Sequence, residues 1–282
     1  MMSPLRYPGG KSDFAPTVHD IITKCGYSGR PFIEPFAGSA AVSLFLLNSG
    51  IIPKATLVER DPLVFSFWQS LLKHTDELIE RFIDLPITLD TWKSFRPLLT
   101  VDKPDSSNIV DLGLAGLFFN RANFSGILNA GPIGGMQQSS EYAIDCRTNK
   151  DEIIIKMLTI ASLSKKISVE FGDAIDVLNR LKANKDVFFY IDPPYFVKGE
   201  ALYRHHYRLG DHKALARSLS DSKAPWLLSY DAHHVIEFLY EDFHVQRVKF
   251  QYSVRSPKNH DELLISNFSI PFSPVVTSQS RT

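Results

Sequence analysis

Apolar and polar positions alternate along the first 70 residues in the manner of strands and helices taken in turn. PFIEPF (31–36) is a short apolar run that predicts a strand. Small residues follow at Ala37, Gly38, Ser39 and Ala40, and AVSLFLLNSG then reads as a helix with Gly50 placed to cap its C-terminus. KATLVERD (54–61) predicts a second strand ending in acids. PLVFSFWQSLLKHTDELIERFIDL predicts one long helix, with Pro62 suited to its first turn. From about 73 to 165 the texture changes to helical runs, a polar stretch KPDSSN (103–108) and a Gly/Asn-rich loop over 123–142, before KDEIIIKMLTIASLSKK (150–166) resumes a helix. ISVEFGDA (167–174), AIDVLNRLKAN and DVFFYIDPPY (186–195) return to strand, helix, strand. APWLLSYD (224–231), HVQRVKFQYSV (244–254) and ELLISNF (262–268) predict three more strands. Strands alternating with helices argue for a parallel or mixed sheet covered by helices, into which 73–165 is inserted.

Composition adds limits. The 282 residues are 44% apolar and 22% charged, with 31 basic and 31 acidic side chains, which is an ordinary globular profile. AAVSLFLL and DVFFYI fall far short of the ~20 apolar residues of a membrane span. MMSPLRYPGGK has no apolar signal region, so a cytoplasmic protein is expected. Cys25 and Cys146 are too few for a disulfide framework or a zinc site. Zero net charge argues against bulk electrostatic binding to nucleic acid, although residues 196–260 hold ten Lys/Arg against seven Asp/Glu and seven of the nine histidines.

Three stretches carry candidate chemistry. In FIEPFAGSAAV (32–42) the small-residue turn between strand and helix lets a ligand approach the backbone at a helix N-terminus. Glu59 follows Gly38 by 21 residues at the end of the next strand, where doubly wound folds place an acid for ribose hydroxyls. No GxGxxG is present, so a nucleoside without a diphosphate suits this turn better than a dinucleotide. RYPGGKS (6–12) invites a P-loop reading, but the required first glycine is Leu5 and no strand precedes it. What remains is a glycine loop carrying Tyr7 and Lys11. IDPPY (191–195) directly follows an apolar strand. Pro193 and Pro194 stiffen the backbone and remove two amide donors, leaving carbonyls and the Asp192 carboxylate as acceptors beside the Tyr195 ring. That set suits an exocyclic amino group, with its two hydrogens accepted and its ring stacked. Asp173, in EFGDA at another strand end, is placed to reach an adenine amino group. The adjacent histidine pairs 205/206 and 233/234 lack HExxH spacing, and no GxSxG is present, so no metal and no hydrolase triad is expected.

Taken in order, RYPGGK, FIEPFAGS, Glu59, FGDA and DPPY resemble the Dam-like family of DNA adenine-N6 methyltransferases, the D12 class, group alpha, over roughly residues 5 to 268. FNRANFSG (119–126) and IDCRTNK (144–150) resemble segments of that family's recognition region. The resemblance implies a Rossmann-like α/β sheet that uses S-adenosylmethionine as methyl donor without metal, with an inserted, mostly helical target-recognition domain. The catalytic domain would comprise 1–72 and 166–270, the insertion 73–165, and 271–282 a flexible tail. It implies that Tyr7, Lys11, Pro35, Phe36, Ala37, Gly38, Ser39, Glu59, Asp173 and Asp192 bind the donor. Asp192, Pro193, Pro194 and Tyr195 would hold the target base, and Arg121, Asn123, Ser125 and Asn129 would contact DNA. Arg204, Arg208, Arg255 and Lys258 are candidate phosphate contacts. The expected partner is duplex DNA, with a cognate restriction endonuclease as a candidate second partner, no membrane, and a monomer or weak dimer. After SGIL the chain continues NAGPIGG, not with the Arg-containing segment of enzymes that read GATC. Alternatives are an amino-methyltransferase acting on RNA or exocyclic cytosine, a catalytically silent cofactor-sensing DNA binder, and a nicotinamide oxidoreductase, against which the missing GxGxxG counts.

Overall fold

The computed structural model describes residues 3–7, 10–197, 199, 204, 206–250 and 260–271. Seven strands form one sheet in the order β3-β2-β1-β4-β5-β7-β6. They are β1 (Phe32–Glu34), β2 (Ala55–Glu59), β3 (Ile167–Phe171), β4 (Phe188–Ile191), β5 (Trp226–Asp231), β6 (His244–Phe250) and β7 (His260–Ser266). The first five run parallel; β7 is antiparallel to both β5 and β6. β1 and β4 sit at the centre and are buried throughout, as parallel strands covered on both faces must be. Their side chains alternate between two apolar clusters. Phe32, Phe188 and Tyr190 enter one, and Ile33, Phe189 and Ile191 the other.

The helices are α1 (Ala15–Lys24), α2 (Ala41–Asn48), α3 (Pro62–Lys73), α4 (Thr75–Asp84), α5 (Leu89–Phe95), α6 (Ile109–Ala122), α7 (Lys150–Ala161), α8 (Ala174–Leu181), α9 (Leu209–Ser220) and α10 (His234–Leu239). The long helix expected from Pro62 is two. It breaks at His74 (φ −133°, ψ 42°), and α4 restarts with Thr75, Asp76 and Glu77, the polar and acidic residues that favour a helix N-terminus. The hydropathy pattern singles out no helix at α1, α9 or α10. Of the strand expected over 244–254, residues 251–254 lie outside the described residues, as does the tail beyond 271. Among the described residues, no helix is long and apolar enough to cross a membrane.

The segment 73–165 joins the same apolar cluster as the sheet. Its helix α6 lies directly on α3, and the contact depends on two glycines. A Cβ at Gly113 would stand 2.7 Å from the Ser66 carbonyl oxygen, and one at Gly116 2.6 Å from that of Leu63. Ser70 Oγ donates to the Ile109 carbonyl at 2.9 Å, tying the start of α6 to α3.

The order of strands reverses between β1, which continues to β2, and β4, which continues to β5. Crevices for ligands open at such a switch point, outside the carboxyl ends of the strands. The loops after β1 and β4 are the FAGS and DPPY segments, so topology alone sets these two sequence-distant motifs side by side.

Candidate active site

The corner after β1 is built on strained backbone and a buried acid. Gly38 (φ 45°) and Ala40 (φ 51°) both take left-handed conformations. A Cβ on Gly38 would stand 3.1–3.3 Å from the Tyr7 ring, so glycine is required there for space as well as for φ. The Gly38 amide donates to Glu59 Oε2 (3.0 Å), and Trp68 Nε1 donates to the Gly38 carbonyl (2.9 Å). Glu59 Oε1 accepts from the Asp61 amide (2.8 Å). Burial pushes the Glu59 carboxyl from 4.5 up to about 7 against the pull of these amides. Glu34, in the middle of the FIEPF motif, is buried under the same corner, where the Ser43 amide and hydroxyl both donate to Oε2. Burial raises it to about 8. Asp173 caps α8 through the Ile175 amide (2.8 Å) and pairs with Arg60 (2.9 Å).

The corner after β4 holds a dense polar network. Asp192 Oδ1 accepts from Ser229 Oγ (2.9 Å) and lies 3.2 Å from Lys11 Nζ. Its Oδ2 has no hydrogen-bond partner among the described residues and is not sealed from solvent. One face of the carboxylate is thus fixed and the other offered to the cleft. Burial raises Asp192 to about 6, partly offset by Lys11. Tyr195 sends its hydroxyl to Glu262 Oε1 (2.9 Å) and receives Lys11 Nζ at 2.6 Å. Downstream, Asp231 at the end of β5 accepts the amides of Phe196 (2.9 Å) and Val197 (3.2 Å), which fixes the exit of the proline corner.

A cleft open to solvent joins the two corners. Tyr7, Lys11, Pro35, Phe36, Ala37, Gly38, Ser39, Glu59, Asp173, Asp192 and Pro194 all line it. Pro193 and Tyr195, which flank Pro194, are not among its lining residues. The lining fits a nucleoside-bearing donor. Phe36 and Tyr207 meet edge to face (5.5 Å between centroids), Val58 and Ile127 add apolar surface, and Glu59 and Asp173 supply acceptors at separate points.

The recognition loop is tied to the N-terminal segment. Asn120 donates to the Arg6 carbonyl (2.6 Å) and the Gly126 carbonyl (3.1 Å) and accepts from the Arg6 amide (2.7 Å). Asn123, expected at the DNA surface, is 1% exposed. Trp92 Nε1 donates to its Oδ1 (2.7 Å), and its Nδ2 reaches the carbonyls of Ile127 and Leu128. Saturated in this way, it shapes the loop and offers DNA nothing. Ser125 (φ 56°) and Asn129 are exposed, as is the ring of Phe124 between Asn123 and Ser125. Arg121 is 8% exposed and lines a second open groove of about 1270 Å³ with Arg6, Arg147 and Lys156; this groove shares Tyr7, Gly10 and Ser39 with the cleft. Arg121 Nε has no partner among the described residues, and burial and Arg6 together lower its pKa to about 10.

Arg204 also departs from expectation. Its Nε pairs with Asp61 at 3.2 Å and its Nη2 donates to the Val101 carbonyl, so it braces the cleft wall and is not a surface phosphate contact. Arg208 is exposed at the N-cap of α9, and Arg255 and Lys258 lie outside the described residues. Pattern reading missed Glu34, Asp61, Tyr207, Ser229, Asp231 and Glu262. Glu34 left a signal, an acid inside an apolar strand. Ser229 and Glu262 lie within β5 and β7 and the others at strand or helix ends and in a loop, and only the topology marks them.

Residues 7–254 match the model of the D12 class N6 adenine-specific DNA methyltransferases. The Type II methyltransferase M.MjaIII of Methanocaldococcus jannaschii is 22% identical over 292 residues, covering 94% of this chain and 98% of that protein. Among solved structures, a candidate RNA methyltransferase of Pyrococcus horikoshii aligns at 11% identity and a TM-score of 0.41, covering 96% of this chain and 87% of the other. Precorrin 8w decarboxylase of Methanobacterium thermoautotrophicum aligns at 10% identity and 0.38, covering 89% of each. With the family model spanning both corners of the cleft and the loop between them, this chain belongs to the D12 class of N6 adenine-specific DNA methyltransferases and is an S-adenosylmethionine-dependent methyltransferase.

Proposed function

We propose that the protein methylates N6 of an adenine everted from duplex DNA at a specific sequence. The observation that carries this reading is the half-engaged Asp192. One oxygen is locked by Ser229 and Lys11, and the other is left open on a residue that lines the cleft between the two corners. S-adenosylmethionine, when bound, supplies an electrophilic methyl on a sulfonium. In this reading Glu59 accepts from its ribose hydroxyls, Asp173 lies within the same wall toward its adenine, and Tyr7, Lys11 and the Pro35–Ser39 turn border it.

An adenine amino group is a poor nucleophile because its lone pair is delocalised into the ring. Asp192 Oδ2 and the Pro193 carbonyl accept its two hydrogens and favour a more tetrahedral nitrogen. The lone pair is then aimed across the cleft. As positive charge grows on nitrogen, the Asp192 carboxylate stabilises it, and the surplus proton leaves after transfer. No covalent enzyme intermediate is needed, so alignment and fixed charge are what the chain contributes. Eversion of the base costs a few kcal/mol, and stacking returns about 1–3 kcal/mol. The Tyr195 ring is the candidate stacking surface, although its hydroxyl is committed to Lys11 and Glu262.

Residues 73–165 serve as the target-recognition insertion and the remainder as the catalytic unit. An anionic partner is supported by the groove in which Arg6, Arg121, Arg147 and Lys156 stand against Asp13 and Glu152. Ser125 and Asn129 are the exposed candidates for contact with DNA. Incubating the purified chain with labelled donor and, in parallel, duplex DNA, RNA and free nucleoside tests the reading. N6-methyladenine confined to DNA, in one sequence context by single-molecule sequencing, is the expected result. Methyl groups on RNA or on cytosine alone would overturn it.

A further inference from the structure

Glu262 stands outside every motif described so far. It opens the part of β7 that pairs with the end of β5, directly across from Asp231, and it is 4% exposed. Its Oε1 accepts from the Tyr195 hydroxyl at 2.9 Å, and its Oε2 lies 3.0 Å from Lys11 Nζ. Lys11, also 4% exposed, is 3.2 Å from Asp192 Oδ1. One buried ammonium is therefore divided between two carboxylates. Burial pulls the Lys11 pKa down, but Asp192, Tyr195 and Glu262 together drive it well above its ordinary value, so the ammonium persists. Were Lys11 to face Asp192 alone, the pair would be neutral. Asp192 would then be a weaker acceptor and a weaker partner for any cation in the cleft.

We propose that Glu262 is a positioning residue that draws the charge of Lys11 away from Asp192 and orients the Tyr195 hydroxyl, so that Asp192 presents more of its negative charge to the cleft. Glu262 touches neither substrate nor donor in this scheme; it acts through Lys11 and Tyr195. The inference deepens the methyl-transfer reading above and rests on it for the identity of the cation, the donor sulfonium.

The test needs no turnover. Binding of S-adenosylmethionine, which is cationic at sulfur, is compared by calorimetry with binding of the neutral thioether S-adenosylhomocysteine. Glu262→Gln keeps an oxygen for Tyr195 and removes the charge. It should lower the preference for the cationic ligand about ten-fold, as expected for one negative charge lost near a buried site. Glu262→Asp should keep most of that preference. Lys11→Met combined with Glu262→Gln removes one charge of each sign and should lie closer to wild type than Glu262→Gln alone. With DNA, Glu262→Gln should lower kcat and leave KM for DNA within about two-fold, since uniform binding is untouched. An unchanged ligand preference in Glu262→Gln, or a double variant whose loss is the product of the single losses, overturns the proposal. A wild-type protein that shows the charge-dependent preference but methylates no DNA adenine would sink the substrate reading and leave this one standing. Wild-type DNA methylation with a preference that Glu262→Gln does not move would sink this one alone.

Discussion

Replacing Asp192 by asparagine separates charge and acceptor from shape. The side chain keeps its size, and its remaining oxygen can stay where Oδ1 is, receiving Ser229 Oγ (2.9 Å) and Lys11 Nζ (3.2 Å). Those two donors thereby dictate the flip of the amide. The NH₂ group must take the place of Oδ2 and face the cleft. A donor then meets the hydrogens of the incoming amino group. Loss of one preorganised transition-state interaction costs about 10²–10³ in rate. The donor–donor mismatch leaves a desolvated group unpaired and adds about 1–3 kcal/mol. Together these predict a fall in the methyl-transfer step of about 10³–10⁵-fold. Because β4 and the Asp231 clamp on Phe196 and Val197 are untouched, the fold should persist. Single-turnover transfer of labelled methyl to DNA, with donor binding measured on the same preparation, isolates the chemical step. A folded, donor-binding Asp192→Asn protein that retained more than a tenth of the wild-type rate would refute the assignment.

Four further outcomes follow from the same geometry. Gly38→Ala forces an L-residue to φ 45° and sets a methyl 3.1 Å from the Tyr7 ring, so thermal unfolding should register a loss of about 1–2 kcal/mol from the backbone alone, and donor affinity should fall with it. Tyr195→Phe keeps the ring but strips Lys11 and Glu262 of their shared hydroxyl; kinetics should place it between wild type and Tyr195→Ala, and equal losses in the two variants would remove the stacking argument. Glu59 holds its proton up to about pH 7 in the folded chain and only to about 4.5 in the unfolded one. The folded state therefore binds more protons across that window, and this group's contribution to stability declines by about 2–3 kcal/mol as pH rises from 4.5 to 7, visible as a falling urea midpoint in the unliganded protein that Glu59→Gln flattens. Arg121→Gln should weaken DNA binding and lower the slope of log affinity against log salt by about one; an unchanged slope would remove Arg121 from the DNA interface.

The amino-acid sequence alone determined the alternation of strands and helices and the identity of the two corners. Each of those features is local: an apolar run of strand length, a small-residue turn, two prolines behind an acid. Period and turn chemistry are written within a few residues, so PFIEPF, KATLVERD and DVFFYI became β1, β2 and β4 at nearly the expected places. The break at His74 was less legible, because the apolar positions of α3 and α4 nearly keep phase across it and only the polar Thr75–Glu77 start marks a new helix. Tertiary structure decided what meets what. The reversal of strand order at β1 and β4 set Gly38 and Asp192 on one cleft, across more than 150 residues of chain. It also gave side chains roles that their types do not announce. Asn123 became a buried bracket, Arg204 a partner of Asp61, and Glu262 a counter-charge for Lys11. Burial and long-range pairing fix such roles, and neither is a property of a residue's neighbours in sequence.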